Sequence, residues 1–220
     1  MNKLLNFFER IISLLMPEHC PFCTTVIERD ELCCKSCLKS TPANGILQGV
    51  TGGYRCTSVH LYKGKLKRGM LRFKFKRKTQ YSEQLAFFLY QNIERNYPDM
   101  VFDYITYVPM HEKSQRKRGF NQCELLAKDL SKLMHIPCRA SLIKTKNTTP
   151  QHKLSRKKRR TNLKGAFKVI DKKAVCGKSI LIIDDIVTTG STLGECAKTL
   201  QKCKPAHICC ATVLASGRIC

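Results

Sequence analysis

Apolar residues recur along this chain at two spacings, and the alternation between them sets out its elements. Leu4, Leu5, Phe7, Phe8, Ile11, Ile12, Leu14 and Leu15 make a wide stripe at helical spacing, so residues 1–16 are predicted as an amphipathic helix. Residues 59–62 read as a short strand. Over 63–78, Leu66, Met70 and Phe73 fall on one helical face. A second helix is expected over 82–95, with Leu85, Phe88, Leu89 and Ile93 inward. Residues 104–108 read as a strand that stops at Pro109. Asn121 can cap a helix that reaches about Met134, with Glu124 at its third position, and Leu125, Leu126, Leu130 and Leu133 apolar. Short strands end at Ile143 and return over 165–169. From Ile180 to Ile183 the run is wholly apolar, as a central parallel strand requires when both its faces are covered. A helix with Leu193, Cys196, Ala197 and Leu200 inward and a last strand over 207–214 complete the pattern. Strands alternating with helices predict an α/β fold with a parallel sheet flanked by helices.

The polar residues next to that apolar run carry the chemistry. Asp184 and Asp185 stand where the strand would end. Ile186 and Val187 come next, then Thr188, Thr189, Gly190, Ser191 and Thr192. Gly190 can take positive φ, and Ser191 or Thr192 can cap the helix that follows. Backbone N–H groups at a helix start are unpaired donors at the positive end of a dipole, which suits a phosphate. The carboxylates suit a sugar diol, a divalent cation, or both. A buried strand that merely ends in a hydrophilic turn would look similar, but strand, acid pair, Gly loop and cap occur here together and in order. The segment resembles the signature of type I phosphoribosyltransferases. That resemblance implies that Asp184 and Asp185 hold the ribose hydroxyls of phosphoribosyl pyrophosphate (PRPP), brought with Mg²⁺, and that the loop holds its 5′-phosphate.

Two further stretches fit the same edge of the sheet. Residues 111–120 read as a strand-to-helix loop bearing Arg116 and Arg118, where the phosphoribosyltransferase pattern would seat pyrophosphate. Residues 144–164 contain no acid and carry Arg159 and Arg160 within a basic run. They are too polar to pack, and resemble the mobile loop that closes over substrate in that family. The same cations could contact a DNA backbone instead.

Composition widens the picture. The 220 residues hold 40 Lys and Arg against 16 Asp and Glu, a formal charge of +24. That excess points to a polyanionic partner, whether nucleic acid, phosphorylated substrate or anionic membrane surface. Nine of the cations fall in residues 63–78, with no acid among them. Fourteen Cys are present. Cys20/Cys23 and Cys34/Cys37 form two CxxC steps, a spacing that suits one tetrahedral Zn²⁺, with Cys33 as a substitute for Cys34 and Cys56 as a spare. Cys123, Cys138, Cys176, Cys196, Cys203, Cys209 and Cys210 are scattered among apolar neighbours and read as small core residues of a reduced, cytoplasmic protein. Glu9 and Arg10 interrupt the first apolar stretch, which argues against a signal peptide or a transmembrane segment.

Taken together, the Cys steps, Arg118-Gly119-Phe120-Asn121-Gln122, Thr149-x-Gln151-x-x-Leu154-Ser155, Arg160-x-Asn162-x-x-Gly165-Ala166-Phe167 and the acid-pair signature resemble the ComF/GntX family of competence-associated phosphoribosyltransferase-like proteins. Some members carry a further CxxC, and Gly53 stands here in place of its first Cys. Behind the amphipathic helix of residues 1–16, the resemblance implies a zinc-binding module (17–58) and a phosphoribosyltransferase-like domain (59–220). It also implies association with DNA uptake during natural transformation, on the cytoplasmic side; with the +24 charge and the two acid-free basic segments, this predicts a protein that handles incoming single-stranded DNA, beside other competence proteins. An active phosphoribosyltransferase, a glycosyltransferase with an unidentified acceptor, is the alternative.

Overall fold

The computed structural model describes residues 17–28, 31–39, 45–75, 79–148 and 162–216. The expected helix over 1–16 and the centre of the basic segment, 149–161, lie outside them.

Four long segments with strand pattern build a five-stranded sheet. These are β3 (Ile46–Val50), β4 (Tyr54–Leu61), β8 (Ser179–Val187) and β9 (His207–Ala215), joined by the shorter β5 (Tyr104–Tyr107). The spatial order is β3-β4-β9-β8-β5. β4, β9, β8 and β5 run parallel, and β3 is an antiparallel edge strand. The sheet therefore takes in residues from Ile46 onward, and the boundary expected between residues 58 and 59 falls inside β4.

The apolar run of β8 is explained by its place beside β9 and β5. Leu181 and Ile183 enter a core with α2 (Gly64–Phe75), α3 (Tyr81–Asn96) and α5 (Gln122–Met134). Ile180 and Ile182 enter a second core with α6 (Ser191–Gln201). Successive side chains point to opposite faces, and here both faces are dry. Asn121 caps α5 as expected, its side chain accepting from the Cys123 amide at 3.0 Å. Of the scattered cysteines, Cys123, Cys196, Cys209 and Cys210 are buried, Cys138 and Cys203 are half-buried, and Cys176 is exposed.

Three expectations change. Residues 111–120 hold a helix, α4 (Glu112–Arg118), rather than a loop alone. His111 caps it and Gly119, at φ 90°, closes it with a bond to the Gln115 carbonyl. The strands expected near Ile143 and Val169, β6 (Leu142–Lys144) and β7 (Phe167–Val169), pair only with each other, as an antiparallel ribbon outside the main sheet. The third concerns the start of α6, described below.

At the other end, β1 (Glu18–His19), β2 (Val26–Ile27) and α1 (Lys35–Leu38) form a small cysteine-rich knuckle. It is pressed against α2. A Cβ on Gly69 would come within 2.4 Å of the Pro21 carbonyl oxygen, so only glycine permits this approach. Arg72 donates to the Phe22 carbonyl at 2.7 Å, and the Phe22 ring meets His60 edge-on at 5.1 Å.

Candidate functional site

At the carboxyl end of β8 the chain turns sharply into α6. Gly190 makes the turn at φ 69° and is the residue before the helix, which begins at Ser191. Neither Ser191 nor Thr192 is the cap that the sequence led us to expect. No side chain caps this helix from Gly190, and no acid stands in its first turn. Thr189 instead folds its hydroxyl back, 2.8 Å from the Ser191 hydroxyl and 3.4 Å from its amide. A small pocket results, lined by Asp184 and by residues 186–193. The start of α6 thus opens into it with its positive end exposed to an anion.

The turn is braced from the side by the hairpin between β3 and β4. A Cβ on Gly190 would sit 2.8 Å from Val50 Cβ, and one on Gly194 only 2.1 Å from the Thr51 carbonyl oxygen. Thr51 donates weakly to the Thr189 carbonyl at 3.4 Å. The Gly52-Gly53 pair that makes this hairpin possible takes φ of 98° and 80°. The sequence reading missed the hairpin, although a Gly-Gly pair between two apolar runs is a hairpin signal.

Both aspartates are buried. Asp184 accepts from the Asp185 amide at 2.8 Å and from the Cys123 thiol at 3.3 Å. Burial first, then repulsion by Asp185, lifts its carboxyl to about 7 against the pull of Lys74 and those donors. Asp185 meets Lys74 of α2, Nζ to Oδ2 at 2.7 Å. The contact is an ion pair between a half-buried ammonium and a buried carboxylate. Burial opposes the charge on Lys74, but the attraction of Asp185 and Asp184 outweighs it and raises the ammonium above its ordinary value. Lys74 and Cys123 were not among the expected site residues. Nothing local in the sequence marks them, since their partners lie 111 and 61 positions away.

Beside Lys74 is Phe75, with the Arg118 guanidinium 5.0 Å from its ring centre. Arg118 also donates to the Gln122 side chain at 2.5 Å, so it is held between Phe75 and the start of α5. Arg116 is well exposed and pairs with Glu112 of its own helix. Arg159 and Arg160 lie outside the described residues.

The second cluster is the knuckle. The thiols of Cys20, Cys23, Cys34 and Cys37 all lie within 4.8 Å of one another, with Cys23 and Cys34 at 3.4 Å. Sulfurs around a tetrahedral Zn²⁺ stand roughly 3.8 Å apart, given a Zn–S bond of about 2.3 Å. The set therefore fits one such ion. Cys33 is buried beside the cluster but is not part of it, and Cys56 lies in β4 within the other core.

Residues 121–218 match the family described as phosphoribosyl transferase domain. With the parallel sheet and the acid pair at its edge, this defines the class of protein: an α/β protein of the type I phosphoribosyltransferase fold. Adenine phosphoribosyltransferase from Saccharomyces cerevisiae resembles it at 14% identity and a TM-score of 0.44, over 78% of this chain and 83% of that one.

Among curated relatives, DNA utilization protein YhgH of Escherichia coli O157:H7 is 33% identical over 83% of this chain and 84% of its own length. Competence protein F of Haemophilus influenzae is 31% identical over 84% and 79%. Competence protein ComFC of Bacillus subtilis is 32% identical over 72% and 63%. The chain belongs to this ComF family of competence-related proteins.

Proposed function

We propose that this protein binds a phosphorylated pentose of the PRPP type at the pocket and holds single-stranded DNA on its basic surface, in the cytoplasm, in support of DNA uptake. The observation that carries the reading is the meeting of buried Asp184 with the glycine turn and the start of α6 at one pocket, with buried Asp185 next to it in the chain. The amides and hydroxyls of Thr188, Thr189, Gly190, Ser191 and Thr192 would take the 5′-phosphate. Asp184 and Asp185 would take the sugar hydroxyls. The DNA half draws support from the +24 charge and from relatives named for competence and DNA utilization.

The acid pair suits Mg²⁺ poorly as a resident ion. Lys74 already neutralises Asp185, and the neighbouring Cys123 thiol is a soft ligand. Magnesium fits better as the counter-ion of a ligand's pyrophosphate, with Arg118, held beside Phe75, as a second cation. Cys20, Cys23, Cys34 and Cys37 would hold Zn²⁺, whose role is to fix a knuckle with little core of its own. Among the described residues no helix is long and apolar enough to cross a membrane.

Filter binding of single-stranded DNA across a salt series tests the DNA half. About six phosphate contacts predict a log–log slope near −4. A flat salt response, or no retention at low salt, rejects it. Phosphoribosyl transfer is a second reading, favoured by the burial of Asp184 beside Asp185 and the Cys123 thiol, which raises its carboxyl to about 7 and so towards proton uptake. Pyrophosphate release from Mg-PRPP with a panel of nitrogen acceptors tests it, and no release with any acceptor rejects it.

A further inference from the structure

The outward face of α2 carries features that a free sugar phosphate would not use. Lys65, Arg68, Leu71 and Phe75 follow one another at spacings of three, three and four, which places them on one stripe of the helix. All four are exposed, Phe75 by 60%. No acid interrupts residues 63–75. At the amino end Lys67 stands 5.5 Å from the centre of the Tyr62 ring. At the carboxyl end Arg118 covers Phe75. The helix spans about 18 Å, enough for several nucleotides of an extended strand. Its carboxyl end is pinned to the site, because Lys74, next to Phe75, pairs with Asp185.

We propose that this stripe is a track for single-stranded DNA that leads a strand's 5′-phosphorylated end into the pocket. The inference rests on the sugar-phosphate reading above and names the form in which the sugar phosphate arrives. A loop of backbone amides at a helix start favours a phosphate monoester, and on a DNA strand that group occurs only at an end. The next phosphodiester would then lie near the acid pair. Two bare carboxylates would repel it, but Lys74 neutralises one of them. Exposed rings flanked by cations are what sequence-tolerant single-strand binding uses, since any base can stack and any phosphate can pair. A duplex offers no free base faces to the exposed Phe75 ring, or to the edge that half-buried Tyr62 leaves open.

Anisotropy titrations with two oligonucleotides of one sequence test the proposal. Both carry the dye at the 3′ end, and one has a 5′-phosphate while the other has a 5′-hydroxyl. The phosphorylated strand is expected to bind about tenfold more tightly, the scale of a few charge-assisted hydrogen bonds. Excess ribose 5-phosphate should remove that advantage. Phe75→Ala and Arg68→Glu should weaken both strands and preserve their ratio. Equal affinity for the two strands, with ribose 5-phosphate still giving a binding heat, overturns end recognition and leaves the sugar-phosphate site standing. Equal affinity with no heat from ribose 5-phosphate overturns both. Unchanged binding in both surface variants overturns the track.

Discussion

The cysteine knuckle and the turn from β8 to α6 both bring reactive groups within a few ångströms, but they are held together by different means. The knuckle has two strands of two residues each and a helix of four, with no side-chain cap. Such pieces have no independent stability, and their order has to come from the thiol cluster and from contact with α2. The turn hangs from a nine-residue strand, with Ile180 to Ile183 fully buried between neighbours on both sides. Its scaffold is strong enough to keep two carboxylates out of water. The knuckle therefore gains order from its chemical groups, whereas the turn holds its groups at a cost the sheet absorbs. Helix α2 touches both, with Gly69 and Arg72 on the knuckle and Lys74 on Asp185.

The largest expected effect separates the two regions. Removing metal with a strong chelator, or making Cys37→Ser, should release bound zinc and expose residues 17–38 to rapid hydrogen exchange. The amides of β8 and β9 should stay protected. Loss of protection in both regions at once would show that they form one cooperative unit.

Next in size is the link between them. Lys74→Met leaves Asp185 buried without its counter-charge, and should destabilise the fold by about 3 kcal/mol in urea titrations. Adding Asp185→Asn should recover most of that loss. Additive effects would deny the coupling. Gly194→Ala tests the brace from the hairpin: its methyl would collide with the Thr51 carbonyl, at an expected cost of about 2 kcal/mol by the same titration. A neutral substitution would mean that the hairpin yields easily.

A further test is a pH dependence. Asp184 has a folded-state pKa near 7, above its ordinary carboxylate value, so between about 4 and 7 the folded chain binds more protons than the unfolded one. Its contribution to stability must fall as pH rises through that window and stay low above it. Buried His60, held down to about 4 by burial, slopes the other way over much of the same range. The test is therefore the difference between wild type and Asp184→Asn. The variant should gain a few degrees in Tm at pH 8 and little at pH 4. A constant difference across pH would contradict the assignment.

Much of this was legible in the chain because the signals were local. The β8 run, the acid pair, the Asn121 cap and the inward faces of α2 and α3 each declare themselves within a few residues. Helix α4 had its signals too, in the i, i+4 pair Glu112–Arg116 and in Gly119, but its cationic composition favoured reading a loop. What the sequence could not convey was pairing across the chain. Lys74 sits one position after an inward Phe73 and could face solvent on periodicity alone. Only the placement of α2 against the tip of β8 turns it onto Asp185. Cys34 joins the thiol cluster and Cys33 does not, a choice that depends on where α1 begins rather than on spacing.

The most direct test of the central claim is calorimetric titration of Mg-PRPP into the wild-type protein and into an Asp184→Asn/Asp185→Asn variant shown to be folded by circular dichroism. The account predicts a saturable, one-to-one heat for the wild type that disappears in the variant. Equal heats in the two proteins would contradict it.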